Sequence, residues 1–127
     1  MTAKIIDGKA IAKQVREKAA EDAAKLVEQG YDPPGLATVL VGEDPASEVY
    51  VGMKQRACKR AGINSFGHTL SADASQEEVE SLVKELNADP AVNGILVQLP
   101  LPDHLDDEAV LKTISVEKDV DGFHPVN

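Results

Sequence analysis

The sequence predicts an α/β domain in three layers, a small, mainly parallel sheet with helices on both faces, and three observations carry that expectation. Two segments, Leu36-Ala37-Thr38-Val39-Leu40-Val41 and Ile95-Leu96-Val97, are apolar without alternation, as in strands whose two faces are both covered. Stretches with helical spacing lie between the strands, at separations that suit right-handed crossovers. The chain has 127 residues, 43% hydrophobic and 28% charged, which supports one folded core and leaves no room for a second. No internal repeat or low-complexity segment interrupts the pattern.

Taken in order, Ile11, Val15, Ala19, Ala23, Leu26 and Val27 predict a helix over 9–29, with Asp7 able to cap its start and Gly30 to end it. Asp32-Pro33-Pro34-Gly35 makes a rigid turn into the strand over 36–41. Gly42-Glu43-Asp44-Pro45 ends that strand, Asp44 or Ser47 can cap the next helix, and the helix runs to about Ala61 before Gly62. Over 63–70, Phe66, His68 and Leu70 alternate with Ser65, Gly67 and Thr69, which suits an edge strand. Ser75-Gln76-Glu77-Glu78 reads as a capping box opening a helix to Asn87, with Val79, Leu82, Val83 and Leu86 on one face; Asp89-Pro90 ends it. The strand that follows Gly94 closes on Gln98, and Pro100 and Pro102 stiffen its exit. A short helix over 106–114 presents Val110, Leu111 and Ile114. The last stretch is rich in turn residues and ends without a stop signal, so the chain is expected to be part of a longer one.

Composition narrows the function. A net charge of −9, a pI near 4.7 and no dense basic run argue against nucleic acid. No apolar stretch approaches membrane-spanning length and the start lacks the long apolar segment of a secretory signal, so no membrane partner is expected and the cytoplasm is the expected location. Cys58 is the one cysteine, which excludes a disulfide within the chain and a cysteine-based zinc site; it reads as a small buried hydrophobe. His68 and His104 have no companion at metal-ligand spacing, and no metal is expected. His124, beside Asp121, fits a turn position as well as a catalytic role, and Glu77-Glu78 and Asp106-Asp107 complement helix starts.

The chemistry-bearing features are Tyr50 and Lys54, four residues apart on one helical face, and Gln98 at the end of a buried strand. Taken alone, the tyrosine and lysine also fit an amphipathic helix with a solvated lysine. Their helix begins at the carboxyl end of a strand, where open α/β sheets bind ligands. Gln98 needs partners there, because an unsatisfied buried amide costs about 1–3 kcal/mol; the partner can be structural, or it can be Lys54.

Three segments, Tyr50-Val-Gly-Met-Lys54-Gln-Arg-Ala-Cys58, Gly94-Ile-Leu-Val-Gln98-Leu-Pro100-Leu-Pro102 and Lys118-Asp-Val-Asp121-Gly-Phe-His-Pro, strongly resemble the bifunctional methylenetetrahydrofolate dehydrogenase/methenyltetrahydrofolate cyclohydrolase family. The opening Lys-Ile-Ile-Asp-Gly-Lys and Pro34-Gly-Leu-Ala match as well. The resemblance covers the whole chain but less than half of the family's usual length. It implies that residues 1–127 form a folate-binding catalytic domain with an amino-acid-dehydrogenase-like N-terminal fold, and that a Rossmann domain binding NADP, or NAD in some relatives, is absent here. No Gly-x-Gly-x-x-Gly fingerprint occurs in the chain.

Carried over residue by residue, the resemblance makes Lys54 the proton-transfer group of the cyclohydrolase step, Gln98 the residue that holds it, Tyr50 the platform for the aminobenzoate ring and Asp121 the carboxylate that binds the pterin. Ser47, Val97, Leu99 and Pro100 match positions lining the same cleft. It further implies tetrahydrofolate as substrate, NADP as cofactor held mainly by the absent domain, a role in one-carbon metabolism and a homodimer when full length. An amine serves such a reaction when it can lose its proton near neutrality, and desolvation and a cationic substrate both act in that direction. The acidic chain predicts only weak or local contacts to a polyglutamate tail. Two other readings, the substrate domain of a different two-domain dehydrogenase and a non-catalytic α/β module, are compatible with the fold alone.

Overall fold

The computed structural model describes residues 8–122. Asp7, His124 and the rest of both ends lie outside them. The element order is α1 (Gly8–Glu28), β1 (Gly35–Val41), α2 (Pro45–Ala61), β2 (Asn64–Leu70), α3 (Gln76–Ala88), β3 (Gly94–Val97) and α4 (Asp107–Thr113), followed by a 3-10 turn at Val116–Lys118. Every expected helix and strand is present, within two residues of its expected bounds.

The strands are parallel in the order β2-β1-β3, so the apolar run 36–41 is the central strand and the alternating one lies at an edge. Right-handed crossovers then dictate the layers. The step from β1 to β2 and the step from β2 to β3 run in opposite directions across the sheet, which puts α2 and α3 on opposite faces. Ala37, Val39, Val41, Ile95 and Val97 meet Val79, Val83, Leu86, Val110 and Ile114 in the main core on the α3/α4 side. Thr38 and Gly67 face the other way, where the Gln55 side chain of α2 packs against Gly67.

Local chemistry explains the boundaries. Ser75 accepts the Glu78 N–H at 3.1 Å and Asp106 accepts the Ala109 N–H at 3.2 Å, so each helix start is satisfied by its own side chain. Gly62 ends α2 at φ 75, a left-handed conformation that a side chain disfavours. At Gly94 a Cβ would collide with Val120, so the tail of the domain closes onto the start of β3 only because that position is glycine.

Two of the expected helices carry details that spacing alone does not give. The apolar positions of α1 form no buried stripe: α1 packs on α2, Ala23 alone of its residues is buried, and Val15 is 63% exposed. Asp44 is the α2 N-cap, yet its carboxylate bonds no helix N–H, because it accepts the Ser47 hydroxyl instead. The turn-rich last stretch also does more than expected, since Asp119 bridges Ile95 in parallel register and extends the sheet beside β3.

Candidate functional site

Alternation along β3 decides what the carboxyl edge of the sheet offers. Ile95 and Val97 point into the α3/α4 core, so Leu96 and the residue two further on, Gln98, belong to the α2 face. The Gln98 backbone N–H donates to the Val39 carbonyl at 2.9 Å and fixes this residue at the last rung of the β1–β3 ladder. From there its side-chain oxygen accepts from Lys54 Nζ at 2.8 Å, while its Nε2 donates to the Leu99 carbonyl at 3.2 Å. A lysine can only donate and a carbonyl can only accept, so the two bonds together set the orientation of the amide.

Ser47 lies two turns before Lys54 on the same helix and is 2% exposed. Its hydroxyl donates to Asp44 Oδ2 at 2.8 Å; the Leu99 carbonyl, at 3.5 Å, is at the limit of a second contact. The Leu99 carbonyl is thus the meeting point of α2 and the segment after β3, and the Leu99–Pro100 peptide that carries it is cis. Among the described residues Lys54 has no carboxylate partner, since the ion pairs there, Lys13–Glu17 and Lys18–Asp22, both lie within α1. Its bonded neighbour is a neutral amide. Tyr50, one turn earlier on the Lys54 face, is 55% exposed and leaves its ring available beside the amine.

The other expected site residues divide. Val97 is buried with its side chain in the core, which leaves its backbone for the edge; Leu99 is half-buried and packs against that core; Pro100 is exposed. Asp121 is exposed. It lies two residues after Asp119, whose isolated parallel bridge to Ile95 brings this stretch beside β3. Among the described residues it makes no hydrogen bond or ion pair with Lys54, Gln98, Tyr50 or Ser47. Sequence reasoning missed Asp44 as the Ser47 acceptor and the Leu99 carbonyl as the hub; the Asp-Pro-Ala-Ser spacing contains the first, whereas a backbone group carries no sequence signal.

Three side chains left outside this constellation have structural roles or none in it. His104 Nε2 bonds the Ala74 carbonyl at 2.8 Å. Cys58 is buried, and burial pushes its thiol above the ordinary range, which makes it a poor nucleophile. His68 lies half-buried on β2. A groove of about 760 Å³ between α2 and β2 is lined by Gln55, Arg56 and Lys59, away from Tyr50, Lys54 and Gln98. Convergent polar groups at a strand end mark the reactive site better than groove volume does, because chemistry needs oriented donors and acceptors.

Residues 6–121 match the family profile described as tetrahydrofolate dehydrogenase/cyclohydrolase, catalytic domain. Among curated proteins, the bifunctional protein FolD 2 of Rhizorhabdus wittichii is 56% identical over 126 residues, covering 99% of this chain and 42% of the relative. The bifunctional protein FolD of Moorella thermoacetica is 55% identical over 127 residues, covering 100% and 45%. Among solved structures, the FolD methylenetetrahydrofolate dehydrogenase/cyclohydrolase of Campylobacter jejuni superposes with a TM-score of 0.91 at 44% identity, over 94% of this chain and 42% of that one. The Trypanosoma brucei enzyme, solved with NADP cofactor and inhibitor, gives 0.89 at 41% identity, over 100% and 43%. The chain therefore spans less than half the length of the relatives it matches. With a profile match over nearly its whole length, it belongs to the tetrahydrofolate dehydrogenase/cyclohydrolase catalytic-domain family.

Proposed function

We propose that this chain is the folate-binding half of a longer enzyme that oxidises 5,10-methylenetetrahydrofolate with NADP and hydrolyses the resulting 5,10-methenyltetrahydrofolate to 10-formyltetrahydrofolate. The observation that carries the reading is the 2.8 Å bond between Lys54 and Gln98 at the carboxyl edge, with Tyr50 one turn away.

Each residue has a role in the hydrolysis. The methenyl substrate is a delocalised cation. Water adds to its one-carbon bridge and loses a proton, giving a neutral carbinol; the bond from that carbon to N5 then breaks, N5 gains a proton, the carbinol hydroxyl loses one, and the formyl group stays on N10. The balance is one proton released per turnover. Lys54 takes the proton from the adding water and hands one to N5, which places one mobile base within reach of both events. Gln98 holds the amine without the fixed charge that a carboxylate would set against it. Tyr50 stacks on the aminobenzoate ring, Asp121 accepts paired hydrogen bonds from the donor edge of the pterin, and Ser47, Val97, Leu99 and Pro100 form the wall of the cleft.

NADP does not fit the described residues. The three strand-to-helix connections at this edge, residues 42–44, 71–75 and 98–106, hold Glu43, Asp44, Asp73, Asp103 and Asp106 and no lysine or arginine, where a dinucleotide needs a phosphate cradle. We assign the cofactor to a second, Rossmann-type domain in the longer protein, and derive no hydride-transfer step from this chain. The same longer protein is read as a cytoplasmic homodimer, on the family resemblance; among the described residues no helix is long and apolar enough to cross a membrane.

The test is hydrolysis of 5,10-methenyltetrahydrofolate, followed by the loss of substrate absorbance, for the intact protein and for Lys54→Met. The variant is expected to lose roughly 10²–10⁴-fold in kcat, the usual contribution of a positioned acid–base group, with an unchanged melting temperature. Equal turnover by the two proteins would refute the assignment of Lys54.

A further inference from the structure

β2 is an outer strand of the sheet, and its ladder has one side only. The Asn64 N–H donates to the Pro34 carbonyl at 2.8 Å and the Leu70 carbonyl accepts from the Gly42 N–H at 2.9 Å, so both ends of the strand turn these groups toward β1. In a parallel ladder the two backbone groups of one residue point the same way, and successive residues alternate. Asn64, Phe66, His68 and Leu70 therefore bond β1, and the N–H and C=O groups of Ser65, Gly67 and Thr69 point out of the sheet edge, with no strand beside them among the described residues. None of the residues of β2 is buried. Nothing in the strand guards this edge, because it holds no proline, lysine or arginine and its register with β1 runs unbroken from Asn64 to Leu70.

A wall stands over the edge. Gly52, Gln55, Arg56 and Lys59 share the flank of α2 that overhangs β2 and, with Ser65 and Gly67, line a groove of about 760 Å³. At about 3.6 residues per turn this flank lies on the opposite side of α2 from Tyr50, so the groove is separate from the folate site. Gly52 lacks a side chain where Arg56 lies back along the helix: a Cβ there would meet the guanidinium at 3.3 Å. Arg56 and Lys59 are exposed, neither forms an ion pair among the described residues, and no residue lining the groove is acidic. On a chain of net charge −9 these unmatched cations select for an anion, and the row of free backbone groups beside them selects for an extended chain.

We propose that the β2 edge is a docking site for an extended, acidic segment of a partner protein, which adds to the sheet beside β2 and lays alternate carboxylates against Arg56 and Lys59. Side chains alternate along an added strand, so every second one faces α2 and the acidic ones belong there. A second copy of this chain does not fit. Two β2 strands paired antiparallel continue one sheet, which sets both α2 helices on one face with the Arg56 and Lys59 of each copy toward those of the other, and β2 carries no carboxylate to offset them. The proposal is independent of the folate reading.

The probe is a synthetic peptide of the length of β2 that alternates glutamate with threonine, and the readout is amide hydrogen exchange of the intact protein by NMR. Without peptide, the Ser65, Gly67 and Thr69 amides should exchange faster than those of Asn64, Phe66, His68 and Leu70. Peptide at about ten times its Kd should slow those three roughly tenfold. N-methylation of one set of alternate peptide amides should abolish the effect and of the other set should leave it, since only one set faces β2. Arg56→Gln with Lys59→Gln, like glutamine for glutamate in the peptide, should weaken binding by about three- to tenfold, with less effect at high salt. Lys84→Gln with Lys112→Gln, the same charge change on α3 and α4, should leave it unchanged. Amides at Ser65, Gly67 and Thr69 that are already as slow as their neighbours without peptide would show a covered edge and overturn the proposal. So would no slowing of the three by the peptide, equal tolerance of both N-methylated peptides, or binding indifferent to Arg56 and Lys59.

Discussion

On one face of the sheet α3 and α4 bury Val79, Val83, Leu86, Val110 and Ile114 against the strands, whereas on the other face α1 runs for 21 residues and buries only Ala23. The polar groups differ in the same way. On the α3/α4 side they are spent on structure: Asn87 donates to the Thr113 carbonyl at 2.7 Å and accepts from the Ser115 N–H at 2.9 Å, and Gln76 spans to the Asp106 backbone. Lys118 donates to the Leu86 and Asp89 carbonyls at the open end of α3. On the α2 side Tyr50, Arg56 and Arg60 face solvent, and Lys54 meets only Gln98. One face holds the sheet in place and the other, supported by that rigidity, presents side chains to a ligand.

The largest effect that would break this contrast is in stability. Ile95 is fully buried, with β1 on one side, the Asp119 bridge on the other and the α3/α4 core over it, so Ile95→Ala is expected to cost about 2–5 kcal/mol in urea unfolding. Val15 on α1 is mostly exposed, and Val15→Ala should stay within about 0.5 kcal/mol of the parent. Comparable losses for the two would mean that the α1 face is covered in solution and that the two sides are not built differently.

The second effect is in activity. Gln98→Glu keeps the shape of the Lys54 partner and replaces a neutral acceptor by a carboxylate, which stabilises the ammonium and withholds the base. Hydrolysis near neutral pH should fall roughly tenfold or more for each unit by which the lysine is held protonated, and part of it should return as pH rises, because deprotonation is what the ion pair opposes. A variant with parental activity and an unshifted pH profile would make Gln98 a structural end to β3 and nothing else.

How far these features were legible differs by residue. The sheet was legible because Leu36 to Val41 and Ile95 to Val97 have no polar face, which leaves burial on both sides as the stable solution, and because crossover handedness then fixes where α2 and α3 go. The pairing of Lys54 with Gln98 was legible as an option, since a strand-end amide needs a partner and a lysine lies on α2, the helix that leaves the carboxyl end of β1. The exposure of α1 was not, because apolar spacing states which residues share a face and not whether anything covers it.

The smallest effect concerns Cys58, which sits on the inner face of α2 between the two regimes. Burial raises its thiol above the ordinary value of 9.0, so the folded state holds the proton more tightly than the unfolded chain. The sign follows from linkage: between the two pKa values the native state binds more protons, so stability is fully present below the unfolded value and is lost as pH rises through the folded one. Urea unfolding of the parent should therefore lose more between neutral and strongly alkaline pH than that of Cys58→Ala, in which tyrosine and lysine titrations are shared and cancel. A thiol reagent at mildly alkaline pH should label the folded parent slowly and the urea-unfolded chain fast. Fast labelling of the folded protein would show that α2 opens from the sheet, and that the face carrying Tyr50 and Lys54 is less firmly held than the buried Ser47, Val51 and Cys58 beneath it require.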